Sequence, residues 1–141
     1  MTAKKETAIW LALKSRIDTL LPAYKKAFPG QKFEAPYSNG KLEPYLSIVK
    51  VTAAPARRFI ADGKPHERTG FLMITLVYPL GLDVSAYDQV AASIADHFPD
   101  GRKMVYGDVC VTVTSYPHVQ DGYEDNGYWF IPVRIPWRCF V

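Results

Sequence analysis

The chain has 141 residues, of which 48% are hydrophobic and 22% charged, and its formal net charge at pH 7 is +3. This length predicts one domain over residues 1–141, and so small a positive charge does not indicate a nucleic-acid-binding protein. The two cysteines have no metal-ligand spacing, and no apolar run is long enough to span a membrane.

The first predicted element is a helix over residues 4–21. Its apolar residues recur at steps of three and four, the period of a helix with one buried face, and Pro22 is expected to end it. A short strand is predicted over 31–35, followed by a loop over 36–44 that contains an Asn-Gly pair. Because the N-terminal segment has no apolar signal core, the protein is expected to be made and kept inside a cell.

Two strands follow, joined by a long hairpin. Residues 45–52 and 70–78 are rich in apolar side chains, and the second run is apolar enough for a central strand that is covered on both faces. The Asp-Gly pair at 62–63 is a strong signal for a two-residue turn. Closing the hairpin at this pair places Val51 opposite Ile74.

The outer part of this hairpin is predicted to form an arm over about 54–69. The same register places Arg57 opposite Arg68, which is a repulsive pair, and two prolines further weaken the pairing there. The base of the hairpin should therefore be rigid, and the arm should be mobile in an isolated subunit.

A second helix is predicted over residues 85–98. Apolar residues again recur at steps of three and four, and the alanines among them permit close packing on a sheet. Ser85 with Asp88 gives a start that resembles a capping box, and Asp83 is an equally good N-cap.

The remaining predicted strands lie near the C-terminus. A short strand is predicted over 104–106 and a half-buried strand over 109–114, followed by a loop over 116–127. Residues 128–139 alternate between apolar and polar, which predicts a strand with one face in the core. Its two prolines, four residues apart, would block the same side of the strand, and this predicts an edge strand. The order of elements predicts an α+β fold, with two amphipathic helices on one face of a mostly antiparallel or mixed sheet.

Residues able to perform catalysis are scattered along the sequence. His66, His97 and His118 fall on the arm, a helix end and a loop, without metal-ligand spacing. Cys110 and Cys139 lie among strand residues with no adjacent base, so small buried side chains are expected rather than a nucleophile. Neither a glycine-rich dinucleotide motif nor a phosphate-binding loop occurs. We therefore expect a protein without enzymatic activity, metal or cofactor.

Opposite charges on two segments favour a contact between copies of the chain. The arm is basic and the loop over 116–127 is acidic, although each could equally be a solvated surface. If the arm of one subunit contacts the acidic loop of a neighbour, the contact is head-to-tail, and a closing rotation produces a ring. The residues that carry these charges are Arg57, Arg58, Lys64, Arg68, Asp121, Glu124 and Asp125.

Four segments and the arm follow one another in an order that is typical of one protein family. The four segments are Pro44–Leu46, Gly70–Gly81, Val90–Phe98 and Ile131–Pro136. In this order the chain resembles the tail terminator-like proteins of long-tailed bacteriophages, the minor tail proteins that cap the tail tube. The resemblance extends over nearly the whole chain, from about Ile9 onwards.

The resemblance implies a ring-forming protein of the virion tail without enzymatic activity, assembled in the cytoplasm of a bacterial host. The ring is expected to be hexameric, although an isolated chain could be a monomer. The implied partners are other copies of the chain, the major tail tube protein and a head-completion or connector protein. Cofactors, membranes and sequence-specific nucleic acid are not implied. The arm is the implied subunit contact, through Arg57, Arg58, Phe59, Lys64 and Arg68.

Two alternatives remain open at this point. The nine tyrosines and the loop over 116–127 are compatible with a small-molecule-binding or enzymatic α+β domain. Another head–tail adaptor would differ from a tail terminator in its position in the virion rather than in its chemistry.

Overall fold

Two helices cover one face of a mixed β-sheet in the computed structural model, which describes residues 4–38, 40–54, 56–57, 66–81 and 83–141. This arrangement confirms the predicted α+β class. The helices are α1 (Lys5–Ile17) and α2 (Val84–His97). The strands are β1 (Lys25–Ala27), β2 (Tyr37–Ser38), β3 (Lys41–Leu42), β4 (Tyr45–Thr52), β5 (Ala56–Arg57), β6 (His66–Pro79), β7 (Lys103–Tyr106), β8 (Val109–Val113), β9 (His118–Val119), β10 (Tyr123–Asp125) and β11 (Tyr128–Phe140).

Two long antiparallel strands, β6 and β11, form the centre of the sheet. The strand order is β1-β4-β6-β11-β8-β7, with β5 beside β6 and with β9 and β10 beside β11. Only the β1–β4 pairing is parallel among the described strands, and β2 and β3 form a separate small hairpin. The sheet is therefore mostly antiparallel, as predicted.

The core lies between the helices and one face of the sheet. Alternate side chains of each strand point to this face, because strand side chains have a period of two. On the other face of β6, Phe71, Met73 and Thr75 are half-buried, so the prediction that both faces are covered is wrong for these residues. The strand residues buried in this core include Leu46, Ile48, Leu72, Ile74, Leu76, Tyr78, Val111, Val113, Ile131, Val133, Ile135, Trp137 and Cys139.

Both predicted helices form, with small differences at their ends. Helix α1 ends at Ile17 rather than at residue 21, with Asp18 as its C-cap. Helix α2 starts after Asp83, whose carboxylate accepts a hydrogen bond from the Ser85 N–H over 3.1 Å. Of the two predicted caps, Asp83 is therefore the one that forms, and the backbone N–H holds the pKa of its carboxyl below the usual value.

The prediction that β11 is an edge strand is wrong. Its two prolines do face the same side, but that side is covered by β8, β9 and β10 in three separate pieces. Proline lacks only the N–H, so its carbonyl can still accept. Thr114 N donates to Pro136 O over 3.1 Å, and Gln120 N donates to Pro132 O over 2.8 Å. The prolines therefore interrupt the pairing on this side of β11, so that its neighbour consists of three short strands. They do not make β11 an edge strand.

The predicted register of the β4–β6 hairpin is also wrong. Val51 pairs with Phe71 rather than with Ile74. At the outer part, Arg57 pairs with His66 rather than with Arg68. The predicted register would have placed exposed Val51 on the same face as buried Ile74, since an odd shift turns a strand over. The register of β4 against β6 thus follows the apolar alternation of both strands, and the turn signal at 62–63 lies outside the described residues.

Three short elements differ from the sequence prediction. No strand forms over 31–35; β1 forms at Lys25–Ala27 instead. The predicted loop over 36–44 contains the β2–β3 hairpin, and the predicted loop over 116–127 contains β9 and β10. Each of these strands is two or three residues long, so no alternating pattern marks it in the sequence.

Candidate interaction surface

The base of the predicted arm is the pairing of β5 with β6. Ala56 pairs with Glu67, and the backbone of Arg57 pairs with that of His66. Beyond this point, Arg58, Phe59 and Lys64 lie outside the described residues. The arm therefore starts at one end of the long β6–β11 pair, where His66 N donates to Val141 O over 3.0 Å.

Arg68 is engaged within its own subunit. Its guanidinium forms an ion pair with the Glu6 carboxylate at the start of α1. A hydrogen bond from the backbone and the Arg68 guanidinium, with a smaller contribution from Lys50, lower the pKa of the Glu6 carboxyl. The predicted contact residue Arg68 thus ties the base of the arm to the first helix.

The predicted acidic loop is a tight hairpin. Asp125 pairs with Tyr128, and the two residues between them, Asn126 and Gly127, both have positive φ, at 51° and 81°. This is the pattern of a type I′ turn, which Asn-Gly favours. The Asn-Gly pair is the signal that could have predicted this hairpin. We call residues 121–128 the acidic hairpin.

The acidic hairpin presents its charges to solvent. Asp121, Glu124 and Asp125 are all exposed, and Tyr123 is 49% exposed. The Tyr123 ring stacks on Phe130, with centroids 5.3 Å apart and an angle of 13° between the planes. Because the turn is tight and Tyr123 stacks on Phe130, the three carboxylates project from an ordered, strand-paired hairpin and the residue before it.

The two predicted charged segments lie at opposite ends of the same pair of strands. The arm base adjoins the C-terminal end of β11, where Cys139 pairs with Arg68. The acidic hairpin includes the N-terminal end of β11, where Tyr128 pairs with Pro79. At about 3.3 Å per residue, this 13-residue strand separates them by roughly 40 Å. The described base of the arm and the acidic hairpin therefore do not meet within one subunit.

A second basic surface lies on the face of the sheet that the helices do not cover. Here the Arg134 guanidinium sits over the Phe71 ring, 4.2 Å from its centroid, and the Arg138 guanidinium sits over Phe140 at 5.3 Å. An open groove of about 520 Å³ beside the arm base includes both arginines in its lining. The sequence places these arginines in the polar row of β11, but the edge-strand interpretation gave them no role.

Three titratable groups whose pKa is shifted by burial lie on different elements: Tyr78 on β6, His97 at the end of α2 and Cys139 on β11. Burial raises the pKa of Tyr78 to about 12, and its hydroxyl has no hydrogen-bond partner among the described residues. Burial lowers the pKa of His97, whose Nε2 lies 3.0 Å from the Arg16 carbonyl oxygen. Burial also raises the pKa of the Cys139 thiol, and Cys110 is exposed.

The described residues hold neither a metal-binding cluster nor a membrane-spanning helix. They contain no group of three or more His, Cys, Asp or Glu side chains placed to hold a metal ion. In the same residues, neither helix is long and apolar enough to cross a membrane.

Comparisons with known proteins identify relatives of this architecture. A family model described as phage tail terminator protein matches residues 8–137. No curated protein matches the sequence. One solved structure has a TM-score of 0.71 at 19% identity, over 97% of this chain and 96% of its own. Another, a chain from the virion of a native gene transfer agent particle, has a TM-score of 0.55 at 13% identity, over 97% of this chain and 95% of its own. At these identities the structural likeness shows the fold, and the family model shows the family.

Proposed function

The chain belongs to the phage tail terminator family, a family of virion structural proteins, and on that premise we propose that its copies form a ring on the end of the tail tube. The ring stops polymerisation of the tube and presents the surface to which a head-completion or connector protein binds. Assembly takes place in the cytoplasm of the bacterial host.

The observation that carries this proposal is the separation of the arm base from the acidic hairpin within one subunit. The basic arm starts at one end of the β6–β11 pair, and the acidic hairpin lies at the other end, roughly 40 Å away. Complementary surfaces at opposite ends of a subunit support a head-to-tail contact. Such a contact forms a ring when the rotation between neighbours closes.

We propose that the arm contributes the contacts of this ring. Arg57, Arg58, Phe59 and Lys64 are the candidate contact residues. Arg68, through its ion pair with Glu6, holds the base from which the arm extends. The carboxylates of the acidic hairpin would receive the arm, because charge complementarity steers association and fixes the register of an interface.

Self-association and tube capping can be measured together. We expect sedimentation velocity to show a concentration-dependent oligomer for the natural chain, and electron microscopy to show rings at the ends of tail tubes. The double variant Arg57→Glu/Arg58→Glu should weaken the oligomer and reduce capping of tubes.

The matched control is Lys25→Glu/Lys32→Glu, which reverses the same number of charges at exposed positions outside the arm. It should associate like the natural chain. A chain that stays monomeric at every concentration and leaves tube ends bare would contradict the proposed function. Normal association of the arm variant would remove the arm from it.

A further inference from the structure

We propose that the groove containing Arg134 and Arg138 is the receiving site for the acidic hairpin of a second copy of this chain. This inference rests on the proposed function, because it concerns a contact within the same oligomer. It adds a receiving surface on the sheet beside the arm base, so that the hairpin carboxylates of one subunit would meet both the arm and the groove of the same neighbour.

The groove holds two guanidinium groups in fixed positions. Arg134 lies over Phe71 and Arg138 over Phe140, and both arginines are exposed. A guanidinium over an aromatic ring keeps its hydrogen-bond donors free for a carboxylate. Among the described residues of the lining, Glu67 is the single carboxylate against these two arginines. The groove therefore carries an excess of positive charge.

The acidic hairpin has the chemistry that this groove requires. It carries Asp121, Glu124 and Asp125, all exposed, and Tyr123 offers a half-exposed ring. Arginine forms bidentate contacts with carboxylates, and the groove also offers apolar surface to an aromatic ring. Since the hairpin is already paired as two strands, binding it costs less conformational entropy than binding an unstructured loop would.

The acidic hairpin of a subunit cannot bind in the groove of the same subunit. Along β11, the hairpin pairs as far as Phe130, and the groove lies between Arg134 and Arg138, roughly 13 Å to 26 Å further along at about 3.3 Å per residue. Both belong to one continuous strand, so the chain cannot fold one onto the other. The occupant must come from another molecule, and the contact is head-to-tail.

A charge exchange tests this pairing. The groove variant is Arg134→Glu/Arg138→Glu, and the hairpin variant is Glu124→Lys/Asp125→Lys. Each alone should raise the dissociation constant for self-association at least about tenfold. An equimolar mixture of the two should recover association, because a reversed groove then meets a reversed hairpin and the natural groove meets the natural hairpin. The variant with all four changes should also recover it.

Controls distinguish the loss of this contact from misfolding and from a general effect of net charge. Circular dichroism should show the natural fold in every variant. Lys25→Glu/Lys32→Glu and Asp100→Lys/Asp108→Lys reverse the same numbers of charges at exposed sites elsewhere, and each of these control variants, alone or mixed, should associate like the natural chain.

The outcomes separate this inference from the proposed function. Oligomers that resist both reversals, or reversals that no mixture rescues, would overturn the groove contact and leave the ring in place. Rescue by mixing, without binding to tube ends, would support the groove contact and count against the proposed function. A groove variant that associates normally but loses binding to an oligonucleotide would assign the groove to a polyanion instead, and would overturn the inference.

Discussion

Gly70 and Trp137 are directly paired across β6 and β11, and a β-carbon on Gly70 would lie 2.8 Å from Cζ2 of the indole. It would also collide with the backbone oxygen of Val51. Because the backbone cannot move as a side-chain end can, we expect Gly70→Ala to destabilise the fold by about 1–3 kcal/mol. Urea unfolding measures this, with Ser47→Ala as a half-buried strand control. Equal stability of the two variants would contradict it.

Gly122 has a similar relationship to Trp129 at the acidic hairpin. A β-carbon there would overlap the indole ring, whose Nε1 is buried without a partner among the described residues. We expect Gly122→Ala to displace the indole and tilt the hairpin. The near-UV circular dichroism should change. The dissociation constant for self-association should rise clearly, whereas the free energy of unfolding should fall only a little. Asp121→Ala, at the adjacent exposed position, should leave the near-UV spectrum unchanged.

Long elements were predictable from the sequence because their patterns repeat. Helix α2 and strand β11 each show their period several times, and both form within one or two residues of the predicted bounds. Short pieces such as β9 and β10 lack a full period. They form because β11 offers them carbonyl and N–H groups between its prolines. Their formation therefore depends on tertiary contacts and not on local sequence preference.

The candidate surface was predictable only in part for the same reason. The charges of Asp121, Glu124 and Asp125 are visible in the sequence, but their rigid presentation depends on pairing with β11. The role of Arg134 was hidden because it depends on Phe71, which is a neighbour only in the correct register of β6 against β11. A strand pattern shows which face a residue occupies and not which residue lies beside it.

Tyr78 should be replaceable by phenylalanine. Its ring is stacked on Tyr87 with centroids 3.4 Å apart, and its buried hydroxyl has no partner among the described residues. Removing an unsatisfied buried hydroxyl is neutral or stabilising, so we expect Tyr78→Phe to change the free energy of unfolding at pH 7 by between zero and about +1 kcal/mol. A loss above about 1 kcal/mol would mean that the hydroxyl is satisfied.

The same residue should affect stability in alkali. Burial raises the pKa of Tyr78 in the folded chain to about 12, above the ordinary value of 10.0. Between these two pH values the unfolded chain loses the proton and the folded chain keeps it. Stability therefore falls as the pH rises above 10. Thermal unfolding from pH 9 to 11.5 should show a smaller decrease for Tyr78→Phe than for the natural chain. Tyr106→Phe, at an exposed position, should behave like the natural chain.

His97 should make stability sensitive to acid. Burial is the main cause of its lowered pKa, and the positive charges of Arg16, Arg102 and Lys26 act in the same direction. The hydrogen bond with the Arg16 carbonyl opposes them only in part. Because the pKa of the folded chain is below the ordinary value of 6.5, the unfolded chain takes up a proton first as the pH falls. The contribution of neutral His97 is therefore complete above pH 6.5 and decreases below it.

The test compares His97→Gln with the natural chain at pH 7.5 and at pH 5. At pH 7.5 the variant should have the lower Tm, because it loses a half-buried ring whose Nε2 lies 2.9 Å from Thr19 Oγ1. At pH 5 the difference in Tm should narrow, since protonation of the imidazole destabilises only the natural chain. His118→Gln, at an exposed position, controls for the loss of a histidine and should show the same difference at both pH values. A difference that widens in acid would show that the folded chain raises the pKa of His97, and the positive surroundings of its ring would then need a different explanation.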